Sequence, residues 1–298
     1  MKPFQSEPQS NDFQTKRFHW PLAELAWWAF LFALVTGVIL SFNYRPWGDV
    51  FTNVSKITGQ IPYGGFIRKL HYFSGQAFLL FTIGHTFEHF FRQTYQHIKS
   101  LEWSKLVFLF FLSFPLVFTG FILKGDKEGI QAARVMVNLA EHVPLVGSGL
   151  ARTLLRPGPD FFLLPYLYHT VILPLVVIFL LGRHRRRLFP KGELGWPLIA
   201  FLSVLAVFCP LPPDIPPHME SALSTGPWFF QGVQLLLRYG SPFWTGMVWP
   251  LIPVGLLAVL AFVPLSWIKW MRGLIVLLCL GHLAVLLAAG YLLPRLPG

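Results

Sequence analysis

Seven apolar stretches, each about as long as a bilayer's hydrocarbon core requires, constrain this chain more than any other feature. They lie near 22–43, 70–94, 103–123, 162–183, 194–211, 242–264 and 271–293, the fifth being short and running into Pro210. A backbone crossing lipid must satisfy its own polar groups, so each stretch reads as a helix. Composition agrees, with 54% of the 298 residues hydrophobic and only 12% charged. The fold class is therefore all-α, a polytopic membrane protein of about seven transmembrane helices. Residues 1–20 are polar and no small-residue cleavage site follows the first apolar stretch, so no secretory signal is read there. Asn11 to Trp20 has the length of a short interfacial helix but a sparse charge pattern.

The net charge is +11, which in a soluble chain would suggest nucleic acid. Here the basic residues flank apolar stretches, so they read as membrane-lipid anchors and no nucleic-acid partner is expected. Arg183, Arg185, Arg186, Arg187 and Lys191 crowd the short loop after the fourth stretch. The positive-inside rule assigns that loop, and with it the N-terminus, to the inner side.

Two pairs of histidines sit on the apolar stretches. His71 and His85 are 14 residues apart in one, and His169 and His184 are 15 apart in another. On a helix, 14 steps end about 40° short of four turns and 15 steps about 60° past them. Both climb about 21–23 Å. Each helix therefore carries two imidazoles on roughly one face, one near each edge of the slab. If the helices face each other, they form two stacked bis-imidazole sites, and imidazole is an ordinary axial ligand of haem iron. Gly37 and Gly120 lie toward the outer ends of the first and third stretches, where a glycine lets a flat macrocycle approach. Ordinary small-residue helix packing explains them equally well. Arg68 precedes His71 by one helical turn and has the geometry to pair a haem propionate. A headgroup anchor is the plainer role.

These residues also fit other uses. His85-Thr86-Phe87-Glu88-His89 fits HxxEH, the inverted zinc-protease pattern, but leaves His169 and His184 unexplained. A transporter or another non-redox membrane protein is a further class. The sequence has no CxxCH motif, so no c-type haem is held that way, and Cys209 and Cys279 suggest no disulfide framework. His19 and His97 fall on the inner side, where a quinone site has use for proton carriers, while His282 has no partner by spacing. Two long outer segments, 124–161 and 210–241, are too apolar for disorder and read as containing surface-lying helices.

The chain resembles cytochrome b of the quinol-oxidising cytochrome bc complexes, over about residues 15 to 295. The residues carrying the resemblance are TG followed by FNYRP at 36–46, IRKLH at 67–71, TGFIL at 119–123, VPLVG at 143–147, LYHTVILPL at 167–175 and PWFFQGVQLLLR at 227–238. It is closer to the plant and cyanobacterial form, here with a four-span dihaem part (1–190) fused to a three-span part like subunit IV (191–298). The resemblance implies that His71 and His169 hold an outer haem b, and His85 and His184 an inner one, both non-covalent. It implies that Gly37 and Gly120 pack on the outer haem. Residues 129–141, Gly129 and Val137 among them, would line an outer quinol site whose other wall is Trp228, Phe229 and Phe230. It further implies Rieske-type iron–sulfur or c-type cytochrome partners, and a homodimer. A non-bifurcating dihaem relay between the quinone pool and multihaem or iron–sulfur partners is the second reading. It is favoured by one departure: Gly226-Pro227 stands where the family has the first proline and the glutamate of its PEWY motif, and proline carries no proton. Lys124-Gly125 replaces a Pro-Trp, and Ala23 and Leu106 replace the glycines of the inner haem. Pro21 stands near the position of the plant-type tethering cysteine.

Overall fold

The computed structural model describes residues 21–156, 158, 160–184, 192–219 and 224–295. The segment 11–20, His19 and the basic loop Arg185 to Lys191 lie outside these. Among the described residues every regular element is helical. Five helices are long and apolar enough to cross a membrane: Leu22–Ser41, Ser100–Ile122, Leu163–Leu181, Pro242–Phe262 and Leu265–Arg295. Seven were expected. The other two exist as helices but miss on one criterion each. Gly64–Phe91 is 28 residues long but more polar, carrying Arg68, Lys69, Glu88 and three histidines. Gly192–Phe208 is apolar but only 17 residues long.

The front half begins with α1 (Leu22–Ser41), which packs along α3 (Gly64–Phe91). Between them lies α2 (Val50–Gly59), a surface helix the apolar pattern did not announce. Its local signal is clear in retrospect. Asp49 caps the first turn by accepting from the Thr52 backbone N–H at 3.0 Å, and Val50, Val54 and Ile57 form its buried stripe.

Helix α4 (Ser100–Ile122) follows, then the outer-segment helices α5 (Lys127–Glu141) and α6 (Gly147–Leu154). The fourth crossing starts as α7 (Leu163–Leu167), widens into a π turn over Tyr168–Ile172, and continues as α8 (Leu173–His184). Pro174 has no N–H to offer the carbonyl four residues back, and the ladder shifts to a Leu173 N–H bond with the Tyr168 carbonyl. His169 rides on this widened turn.

The remaining helices are α9 (Gly192–Phe208), α10 (Gln231–Leu236), α11 (Trp249–Val259) and α12 (Leu265–Leu292). One buried cluster joins α1, α3, α4, α8 and α9 through Trp27, Phe30, Phe78, Leu112, Val177 and Leu202. A second joins α3 and α4 to α11 and α12 through Phe90, Trp103, Leu106, Leu257 and Ile275. Trp103 is fully buried there, and its indole N–H donates to the Leu257 carbonyl at 2.6 Å. Trp103→Phe keeps most of the ring but removes the donor. The expected cost is about 1–2 kcal/mol, read as a lower unfolding midpoint in detergent. An unchanged midpoint would show that this bond adds nothing to the α4–α11 contact.

Candidate haem and quinol site

The C-terminal parts of α1 and α4, the N-terminal half of α3 and the π turn converge on one cavity of about 400 Å³. Gly37, Arg68, His71, Gly120, Lys124, Glu128, His169, Asp214 and Trp228 all line it. His71 and His169, nearly a hundred positions apart in sequence, bring their ring centroids to 5.9 Å with planes at 83°. Two imidazoles on opposite sides of one metal ion, with bonds of about 2 Å, place their centroids about 6 Å apart.

The two rings are held by matching devices. His71 Nδ1 meets the Ala33 carbonyl at 2.9 Å and the Thr36 hydroxyl at 3.2 Å. His169 Nδ1 meets the Leu116 carbonyl at 2.9 Å and the Thr119 hydroxyl at 3.5 Å. Each threonine also donates back to its own helix, Thr36 to the Phe32 carbonyl and Thr119 to the Pro115 carbonyl. Donation to a carbonyl puts the proton on Nδ1 and leaves Nε2 with its lone pair, the tautomer a metal needs.

The residue after each threonine is a glycine facing the same ring. A Cβ on Gly37 would lie 3.0 Å from His71 Cε1, and one on Gly120 would lie 2.6 Å from His169 Cε1. Thr36-Gly37 and Thr119-Gly120 therefore act as two copies of one cradle. The sequence reading singled out the glycines but not Thr36 and Thr119. The repeated Thr-Gly pair was the available signal. By these observations the residues present fit a bis-imidazole haem: paired rings at the right separation, fixed tautomers, and space that a side chain would close.

Arg68 lines the cavity, but it does not wait there unpaired for a propionate. Its guanidinium grips Asp214 through two bonds, Nη1 to Oδ2 at 2.5 Å and Nη2 to Oδ1 at 2.9 Å. Nη1 also donates to Thr58 Oγ1 at 3.0 Å. Asp214 belongs to the proline-rich run after α9, so this pair ties the back half to α3. Lys124 extends the network, with Nζ 2.7 Å from the fully buried Asp126, 3.4 Å from Glu128 and 3.7 Å from Asp214. The Lys124-Gly125 departure thus has a local use. Gly125 takes φ +65°, which turns the chain into Asp126, and Asp126 caps α5 by accepting from the Gly129 N–H at 2.8 Å. Tyr44 closes this end of the bundle by donating to the Leu123 carbonyl at 3.0 Å. Burial first, and the neighbouring Tyr166 second, push the Tyr44 phenol well above the ordinary tyrosine range, so it remains a donor.

The expected quinol-site residues are divided. Trp228 lines the cavity and donates from Nε1 to Gln76 Oε1 at 2.8 Å. Phe229 and Phe230 instead pack on α4, against Phe114 and Phe118 with centroids at 5.8 and 5.1 Å. Gly129 is buried at the start of α5. Val137 lines a second cavity of about 460 Å³, between α5 and Phe161-Phe162. The structure brings Trp228 to the histidine pair but puts Val137 on another wall, because α5 is amphipathic and turns that face toward Phe161 and Phe162.

At the inner end, His85 sits edge-on to His89 with centroids at 4.4 Å. His89 Nδ1 is 2.8 Å from Thr94 Oγ1. Leu106 is buried in the α4–α11 cluster. His184 ends α8, and its side chain lies outside the described residues, so the inner pair's geometry does too. Among the described residues no group of three or more His, Cys, Asp or Glu gathers to hold a metal ion, which gives the HxxEH zinc reading no third ligand.

A profile of the family Cytochrome b/b6/petB matches residues 10–188. Cytochrome b6 of Heliomicrobium gestii is 29% identical over 160 residues, covering 52% of this chain and 75% of that one. Cytochrome b6 of Porphyra purpurea is 28% identical over 171 residues, covering 56% and 80%. Cytochrome b of Rickettsia typhi is 28% identical over 174 residues, covering 56% and 44%. A chain of a solved structure titled "Hyperthermophilic respiratory Complex III" shares the fold with a TM-score of 0.69 at 18% identity, over 94% of this chain and 92% of that one. The chain belongs to the cytochrome b family: it is a haem b-binding, multi-pass membrane subunit of a quinol-oxidising electron-transfer complex.

Proposed function

We infer that this chain carries electrons across the membrane through two non-covalent b haems, taking them from quinol at the outer face. The cross-helix pair of His71 and His169, each ring fixed by a carbonyl and faced by a glycine, carries the reading. His71 and His169 would hold the outer haem, and His85 and His184 the inner. The haems supply one-electron redox chemistry; the protein supplies the imidazoles, their tautomer, and the burial that sets potentials. Residues 1–190 form the dihaem part and 191–298 the part like subunit IV. The fold likeness, which extends past the end of the family match, supports that division.

In this reading the haem would fill the outer cavity, and the quinol would bind beside it in a separate site. Trp228 lines that cavity, held by Gln76. The chain contains no Rieske or c-type haem motif, so iron–sulfur or c-type cytochrome partners accept the electrons that leave at the outer side. The complex is a homodimer in an energy-transducing membrane, with the N-terminus inside.

Pro227 favours a second reading, a relay that sends both quinol electrons along one route. The two are separated by holding the complex with quinol and an inner-site inhibitor and then adding a one-electron oxidant. A bifurcating complex answers with a transient rise in reduced haem b. A relay answers with oxidation only.

A further inference from the structure

The two histidine spacings disagree on an ideal helix. The 14 steps from His71 to His85 end about 40° short of four turns, and the 15 from His169 to His184 about 60° past them. Both crossings start from the contact of the His71 and His169 rings and run on to one buried cluster, which holds Phe78 of α3 and Val177 of α8. For the pairing of positions 71 and 169 to recur at 85 and 184, both helices must turn through the same angle in between. A mismatch of about 100° would put 85 and 184 on faces that do not meet.

We propose that the π turn over Tyr168–Ile172 is a register corrector that absorbs the extra residue of the fourth crossing. A π turn holds one residue more than an α turn. The Tyr168 N–H still reaches the Leu164 carbonyl in the α pattern, whereas the Leu173 N–H reaches back five residues to Tyr168. The 15 steps then advance like about 14 ordinary ones, about 40° short of four turns with a rise of about 21 Å. That is the advance of α3, so positions 169 and 184 stand in the register of 71 and 85. The inference rests on the dihaem reading above.

Burial along the crossing reports the same shift independently. Pro165 before the turn and Val177 after it are both buried. Twelve α steps would set them about 120° apart, and with one residue absorbed they fall within about 20° of each other. Phe78 is seven steps from His71 and Val177 eight from His169, yet both lie in the same cluster. Pro174 lowers the cost of widening the ladder here, because it already leaves the Thr170 carbonyl without an α-type donor. The other π turn among the described residues, Pro242–Val248, also ends one residue before a proline, with the Trp249 N–H on the Trp244 carbonyl and Pro250 next. Proline alone does not make the turn: Pro115 sits inside α4 without one.

The test deletes one residue from each crossing of the full chain in the purified complex. The residues are Ile172 on the π turn and Leu80 on α3, both exposed. Pyridine haemochrome counts haem b, and electron paramagnetic resonance reads the low-spin signals of bis-imidazole ligation. Deleting Ile172 leaves 14 steps that a regular helix can carry, so both haems and both low-spin signals should remain. Deleting Leu80 leaves 13 steps in α3, about 140° short of four turns, with no widened turn to give back. Its haem content should fall about two-fold. Equal loss of haem in the two deletions, or full retention in both, would overturn the proposal. If the Ile172 deletion fails to assemble, a density map of the wild-type complex replaces it. A Leu173-to-Tyr168 bond in that map supports the proposal, and an unbroken α ladder from Leu163 to His184 overturns it. A wild-type complex without two haems contradicts the dihaem reading itself, and the register argument falls with it.

Discussion

Replacing His169 with alanine should cost the complex about half its haem b, with the inner component retained. The substitution would remove one of the two imidazoles proposed to hold the outer haem and leave only His71, held by the Ala33 carbonyl and the Thr36 hydroxyl. Five-coordinate haem is held less firmly, and its spectrum becomes high-spin. The pyridine haemochrome assay gives the stoichiometry, and a redox titration should lose one of its two waves. Free imidazole in the buffer fits the space the ring vacated and should restore part of the low-spin signal. If His169→Ala keeps all its haem and both waves, the outer site is elsewhere.

Gly120→Ala should release the same haem by a different route. The added methyl would lie 2.6 Å from His169 Cε1 and 3.1–3.2 Å from both ring nitrogens. A free histidine could swing away. This one is tied to the Leu116 carbonyl, so the methyl would push against a ring that has little room to move and would weaken its hold on the haem. Overpacking of this kind costs about 1–3 kcal/mol, or roughly 5- to 150-fold in haem affinity. Gly37→Ala should be milder, since its methyl would stand at 3.0 Å and meet mainly Cε1. Haem-transfer rates to an apoprotein acceptor give both numbers. Equal retention in Gly120→Ala and wild type would mean that the ring has room the structure does not display.

The apolar stretches and the same-face pairs His71/His85 and His169/His184 are legible in the sequence, because helical periodicity and a bilayer's thickness are local rules that tertiary packing seldom overrides, whereas the pairing of His71 with His169 comes from the resemblance. The mixed outer segment 124–161 gave α5 and α6 for the same reason. The segment 210–241 yielded less helix than expected, a turn at Trp228–Phe230 and the short α10, since its prolines interrupt the ladder. The Arg68–Asp214 grip was not legible. Its partners are 146 residues apart, and nothing in IRKLH distinguishes an arginine kept for a propionate from one already paired. Thr36 and Thr119 carry little signal singly, because a threonine in an apolar helix ordinarily bonds only its own backbone; the repeated Thr-Gly pair is the sequence trace of the ring-fixing device. Val137 was assigned to the wall opposite Trp228 because linear resemblance does not say which face of α5 turns toward which cavity.

The central claim is a transmembrane pair of b haems, and a redox-titrated visible spectrum of the purified complex with a pyridine haemochrome count tests it most directly. The account predicts two haem b per chain titrating at separated potentials. A single haem b would contradict the inner His85/His184 site, and none would contradict the account as a whole.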